Sequence, residues 1–169
     1  MWNATPSSLG DRGDARPARL GAGNPELATL VDAANRTGTS LMLLHLDIDH
    51  FASVNENMSA EVGDQALVLI AERLRGFLGD RGRLWRHGSD EFLIAVPRST
   101  QTPSPEDLAE QIRQQIELPL SVLPYTLFLT AKIGVSLCPE HANTATGVLD
   151  LAEDALHQAG REGGNSVHV

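Results

Sequence analysis

Cations are scarce in this sequence. Lys and Arg together number 13 against 22 Asp and Glu, a formal charge of -9. Lys occurs once, as Lys132, and three of the cations are crowded between Arg12 and Arg19. The body of the chain is therefore poor in positive charge. This excludes a general nucleic-acid or anionic-membrane surface, since both need a basic excess. Cysteine also occurs once, as Cys138, which excludes a disulfide framework and a cysteine zinc site. The apolar runs Leu41–Leu44 and Ala66–Ala71 fall far short of the roughly 20 residues that cross a bilayer. The first 25 residues hold no apolar segment of the signal-peptide kind.

What is present suits one folded domain. The chain has 169 residues, 41% of them hydrophobic, enough to bury a core without a covalent staple. Residues 1–22 are rich in Gly, Pro, Ser, Arg and Asp without hydrophobic period, so they read as a flexible leader or linker before a domain at 23–169. Leu27, Leu30, Val31 and Ala34 recur at helical spacing between Glu26 and Arg36. Leu41–Ile48 reads as a buried strand, and Leu67, Ile70, Ala71, Leu74 and Phe77 as one face of a helix ending near Leu78. Arg83–His87 and Glu91–Val96 read as a hairpin, with Gly88 expected to supply a left-handed turn conformation. A helix is expected from Ser104 to Glu117, and one or two strands across Pro119–Leu137, the longer at Thr126–Val135. A last helix, through Val148 to Ala159, precedes a short strand at Ser166–Val169. The order α-β-α-β-β-α-β-α-β is of the α+β class and is that of a ferredoxin-like split unit, a sheet with helices on one side.

Acidic groups gather at two places. Asp47-Ile48-Asp49 closes the first strand; the period of two puts both carboxylates on one face, roughly 6–7 Å apart. Asp90-Glu91 lies at the hairpin. Such oxygen donors suit Mg²⁺ or Mn²⁺, which could bind nucleotide phosphates and assist displacement at phosphorus. Turn and helix-cap roles are the structural alternatives. An EF-hand loop fails, because Ala52 stands where Gly is needed and Met58 where the closing Glu belongs. His45 and His50 flank the acids, but a histidine inside an apolar strand reads as a core residue before it reads as a zinc ligand.

The segments His45-Leu46-Asp47-Ile48-Asp49-His50-Phe51, Val54-Asn55, Gly63-Asp64 and Arg86-His87-Gly88-Ser89-Asp90-Glu91-Phe92, in this order and spacing, resemble the GGDEF family. Its members, the diguanylate cyclases and their inactive relatives, join two GTP into cyclic di-GMP. The resemblance runs from about Gly21 to Val169 and implies a central, mostly antiparallel sheet with flanking helices. By resemblance, Asp47, the backbone carbonyl of Ile48, Asp90 and Glu91 would hold Mg²⁺ or Mn²⁺ when GTP binds. Asp90 and Glu91 would be the catalytic acids of an active member. Asn55 and Asp64 would read guanine, and Gly88 and Ser89 would lie along the substrate. The chemistry of the guanine pair fits: an amide donates to the guanine carbonyl and a carboxylate accepts from its N–H groups. A helix cap is the structural alternative for Asp64.

The departures from the family pattern concentrate on cations. Ala52 stands at the usual Lys of Asp-x-Asp-x-Phe-Lys. Gly160 and Gly164, in Ala159-Gly160-Arg161-Glu162-Gly163-Gly164-Asn165, stand at the Lys and Arg of Ala-Lys-x-x-Gly-Arg-Asn. All three would meet the triphosphate, and each charge-assisted contact is worth about 1.5–3 kcal/mol. Arg161 is one position away from the missing Lys of this motif. Ser59-Ala60 replaces the usual Gly-His, Ser89 replaces the second Gly of the signature, and Leu20-Gly21-Ala22-Gly23-Asn24-Pro25 is a remnant of the opening motif. Gly79-Asp80-Arg81-Gly82 stands where an Arg-x-x-Asp product site would be. The resemblance therefore implies a degenerate GGDEF domain, weak or inactive as a cyclase. It would act as a regulatory or dimerising module of a larger cytoplasmic bacterial signalling protein. EAL phosphodiesterase and sensory domains are the expected neighbours on the same chain, and a homodimer is the expected self-association. An active diguanylate cyclase and a non-catalytic GTP sensor controlling an attached EAL domain are the alternatives.

Overall fold

The computed structural model describes residues 24–169. The leader expected at 1–22 lies outside these residues, as does the Leu20–Gly23 part of the opening-motif remnant. In chain order the elements are α1 (Pro25–Thr37), β1 (Leu41–Ile48), α2 (Phe51–Asn57), α3 (Ala60–Leu78), β2 (Arg83–Arg86), β3 (Glu91–Pro97) and α4 (Pro105–Glu117). β4 (Leu120–Val122), β5 (Tyr125–Leu127), β6 (Ala131–Cys138), α5 (Ala145–Arg161) and β7 (Val167–His168) follow. The helix starts follow from local chemistry. Asn24, Ser59, Ser104 and Thr144 each accept a backbone N–H three residues on, and Pro25 and Pro105 hold first-turn positions.

The main sheet runs β2-β3-β1-β6-β7, antiparallel except where β7 joins β6 in parallel. Alternation along β1 divides the core. Met42, Leu44, Leu46 and Ile48 face α2, α3 and α4 together with Phe92, Ile94, Ile133 and Val135. Leu41 and Leu43 face α1 and α5 together with Leu93, Ala95 and Cys138. Helices therefore cover both faces, and the expectation of helices on one side is corrected. The apolar stripes of α1 and α5 are buried against strand residues of the opposite parity.

Three further differences concern local structure. The segment expected as one longer strand, Thr126–Val135, is interrupted. Tyr125–Leu127 turns back on β4 as a separate two-stranded hairpin, and β6 begins at Ala131. A short helix, α2, follows β1 directly, with Phe51 and Val54 buried beneath it. Gly88 does not take the positive φ expected of it; among the described residues the glycines that do are Gly38, Gly79, Gly163 and Gly164. The hairpin is closed by the His87 N–H on the Glu91 carbonyl at 2.9 Å. The longer loop between them removes the need for a two-residue turn.

Candidate functional site

The end of the sheet where β1 finishes and β3 begins collects the acidic groups. Register places Asp47 opposite Glu91 on one side and opposite Lys132 on the other. The Ile48 N–H donates to the Asp90 carbonyl at 3.1 Å, drawing the hairpin loop against the strand end. Asp47, Asp90 and Glu91 consequently present ligand oxygens within 4.8 Å of one another. Burial and the neighbouring Asp90 push the Asp47 carboxyl above its ordinary range, against the pull of Lys132. Burial and Glu91 push Asp90 in the same direction. A half-buried cluster of this kind is short of positive charge, and its all-oxygen donor set fits a hard divalent cation.

Asp49 does not join that cluster. Its Oδ2 accepts from Thr130 Oγ1 and from the Asn165 N–H, both at 2.7 Å, and its side chain is only 7% exposed. The pairing of Asp47 with Asp49 read from the strand period is thus replaced by Asp47 with Asp90 and Glu91. Asp49 instead fastens the loop that follows α5.

Lys132 was not a site residue in the sequence reading, yet its Nζ lies 3.1 Å from Asp47 Oδ2 and 3.7 Å from Asp49 Oδ1. Burial lowers its pKa, but hydrogen bonding and charge from Asp47 and Asp49 outweigh burial, and the net direction is upward. The clue was weak in sequence, because only the β1–β6 register places position 132 beside position 47.

His45 is buried, as a core histidine should be, and its Nε2 lies 2.7 Å from Glu91 Oε1. With a carboxylate as acceptor, Nε2 is the protonated nitrogen. The His45 and His87 rings meet edge to face at 4.9 Å, and these two histidines also bring ligand atoms within 4.8 Å of Glu91. His50, by contrast, is an exposed residue at φ 55, just before α2.

The expected guanine pair lies on the α2–α3 side. Asn55 is exposed and its Oδ1 rests over Gly63, where any β-carbon would overlap it. Asp64 follows, exposed, in the second turn of α3. The cap of that helix is Ser59, which accepts from the Val62 N–H at 3.1 Å, so the capping alternative for Asp64 is ruled out. Arg86 links the two halves of the site. Its charge interacts with both Asp64 and Asp90, although burial lowers its pKa. Its Nη2 donates to the Ser89 carbonyl at 2.8 Å, and its guanidinium lies over the Phe92 ring at 5.7 Å. Gly88 and Ser89 form the tip of this loop, Ser89 exposed. Arg86 also escaped the sequence reading as a site residue, since nothing in a strand pattern says that a side chain will fold back over the following turn.

The three positions at which the family pattern would place cations hold exposed Ala52 and half-buried Gly160 and Gly164. Gly164 has φ +80, and a β-carbon there would stand 2.9 Å from Asp49 Oδ1. Arg161 lines a cavity of about 400 Å³ with His141, His157 and His168, and none of the clustered acids lines it.

An α+β sheet whose strand end and hairpin loop gather acids is the arrangement that the family resemblance implied. Comparison makes the class specific: the profile of the family described as diguanylate cyclase, GGDEF domain, matches residues 22–166. The chain belongs to the GGDEF family. It is 33% identical over 129 residues to the cyclic di-GMP phosphodiesterase NbdA of Pseudomonas aeruginosa, covering 76% of this chain and 16% of that protein. It is 35% identical over 133 residues to the probable diguanylate cyclase DgcF of Escherichia coli O157:H7, covering 74% of this chain and 27% of that one. The crystal structure of the GGDEF domain of TpbB from Pseudomonas aeruginosa superposes with a TM-score of 0.79 at 29% identity, over 85% of this chain and 89% of that one. The chain thus spans less than a third of the length of these curated relatives. Among the described residues, no helix is long and apolar enough to cross a membrane.

Proposed function

We propose that this domain serves cyclic di-GMP signalling as a regulatory or dimerising module with little or no cyclase activity. The observation that carries this reading is the state of the three cation positions. Ala52, Gly160 and Gly164 bring no charge toward a triphosphate, while Asp47, Asp90 and Glu91 remain gathered. Gly164 is moreover committed to its present form by its φ and by the Asp49 carboxylate against it. A charge lost on a flexible surface can be regained by one substitution, whereas this loop is built around having no side chain at 164.

In this reading Asp47, the Ile48 carbonyl, Asp90 and Glu91 hold Mg²⁺ or Mn²⁺ when a nucleotide is present. The ion would supply charge neutralisation at the phosphates. Asn55 and Asp64 read the base, and Gly88 and Ser89 border the nucleotide. Retention of Asn55 over Gly63 beside Asp64 favours a second role, GTP sensing without turnover, coupled to an attached domain such as an EAL phosphodiesterase. Arg81 supports the absence of product feedback. It donates to the Leu78 and Phe77 carbonyls at 3.1 and 2.7 Å and so is occupied with the end of α3.

Incubating the purified chain with Mg²⁺ and GTP, followed by chromatography of the nucleotides, tests the first role. No cyclic di-GMP above the protein-free control is expected. Turnover that disappears in Asp90→Ala would overturn the reading in favour of an active cyclase. Calorimetry with GTP and Mg²⁺ tests the second role: heat at millimolar GTP supports sensing, and its absence leaves only an interaction role.

A further inference from the structure

Lys132 is the only lysine of the chain, and it is built into the acid cluster rather than flexed toward it. The β1–β6 register sets it directly opposite Asp47. Its stem passes over Gly160, with Cδ and Cε each 3.5 Å from where a β-carbon of residue 160 would sit. The bare backbone of α5 therefore forms one wall of a slot that guides the ammonium to Asp47 and Asp49. Both side chains of the Lys132–Asp47 pair are only 23% exposed, so solvent does little to separate them.

We infer that Lys132 is a resident cation of this site, competing with divalent ions for Asp47. The inference rests on reading Asp47, Asp90 and Glu91 as a metal site. A divalent ion ligated by Asp47 places two positive charges beside an ammonium 3.1 Å from the ligand oxygen. The ion must displace the lysine or bind against its repulsion, and either lowers affinity. Asp49 cannot take up the slack. Its Oδ2 is spent on Thr130 and Asn165, so the lysine that leaves Asp47 keeps only the longer contact to Asp49 Oδ1. A polyphosphate arriving with the ion offers the ammonium a replacement anion. Lys132 thereby makes the site favour a metal–polyphosphate complex over the free metal.

The test is Mn²⁺ binding to the 169-residue chain, read by electron paramagnetic resonance without nucleotide, in the parent, Lys132→Met, Lys132→Gln and Lys132→Arg. Near-ultraviolet circular dichroism verifies that each is folded, and the Gln variant keeps most of the stem should Met perturb packing. Met and Gln are expected to tighten Mn²⁺ about tenfold, the order for removing one charge beside a ligand in a half-solvated site, while Arg leaves it weak. The gain should vanish when Asp90→Asn is added. Mn²⁺ binding that depends on Asp90 but is unchanged in both Met and Gln overturns the role of Lys132 and leaves the metal reading standing. Binding that is absent in every variant, or indifferent to Asp90→Asn, overturns the metal reading and the inference with it.

Discussion

Asp47 and Asp49 are two residues apart at the same strand end, and their surroundings give them different work. Asp47 faces other carboxylates and one ammonium; Asp49 is enclosed by donors from Thr130 and Asn165. A carboxylate holding two short bonds is a structural anchor, and removing a partner from it leaves a buried charge uncompensated. The consequence falls on Gly164, whose missing side chain makes room for Asp49. Gly164→Arg would put back the cation that the family pattern carries at this place, yet the gain in charge should not appear as nucleotide binding. A side chain there is strained at φ +80 and would crowd the Asp49 carboxylate. The expected cost is about 1–3 kcal/mol of stability, read from urea denaturation, with no GTP-dependent thermal shift. A stable Gly164→Arg protein that binds GTP would show that the loop adapts.

Among the elements, α5 and β6 set the geometry of the site, and their contact depends on one glycine. A β-carbon at Gly134 would overlap the backbone of Ala152, Ala155 and Leu156 in α5. Backbone cannot rotate out of the way as a side chain can, so Gly134→Ala must lift the helix from the sheet. A loss of about 2–4 kcal/mol is expected in urea denaturation. A neutral outcome would mean that α5 shifts freely over β6. The hydrophobic periods of α1, α3 and α5 were legible in the sequence because one face of each is buried, α4 from its Ser104-Pro105 start, and β1 and β3 as apolar runs because both their faces are buried. The placement of helices on both faces was not, since a half-period shift between Leu43 and Leu44 decides the side and no single element carries that information. The signature acids were legible from their spacing. Lys132 and Arg86 were not, because each enters the site through register or a fold-back across a turn, and both are long-range facts. The φ of Gly88 was misread for a related reason: it depends on the length of the loop closed by His87 and Glu91.

For the molecule as a whole, the charge deficit becomes a stability term. Asp47 and Asp90 both have raised pKa values in the folded chain. Between the ordinary carboxylate range and those raised values, the folded state binds more protons than the unfolded state. Stability must therefore rise as pH falls from neutral through that window and decline as pH rises back through it. Glu110 acts oppositely. Hydrogen bonding to Arg113 chiefly lowers its pKa, so its contribution is present above its unfolded pKa and is lost as pH falls through the folded one. The combined profile should have its maximum on the acidic side of neutral. Replacing Asp90 by Asn removes one of the two rising contributions. It should stabilise the metal-free chain at pH 7 by less than about 1 kcal/mol, solvent screening keeping the figure small, and flatten the slope just above the ordinary carboxylate range. Mn²⁺ should flatten or reverse the slope in the same region in the parent chain, since the ion stabilises the ionised carboxylates of the folded state and binds more tightly as protons leave the same oxygens. Urea midpoints of parent and Asp90→Asn, measured from pH 4 to 8 with and without Mn²⁺, check all three statements. A parent profile that is flat just above the ordinary carboxylate range would mean that the cluster's repulsion is already cancelled by its own cation.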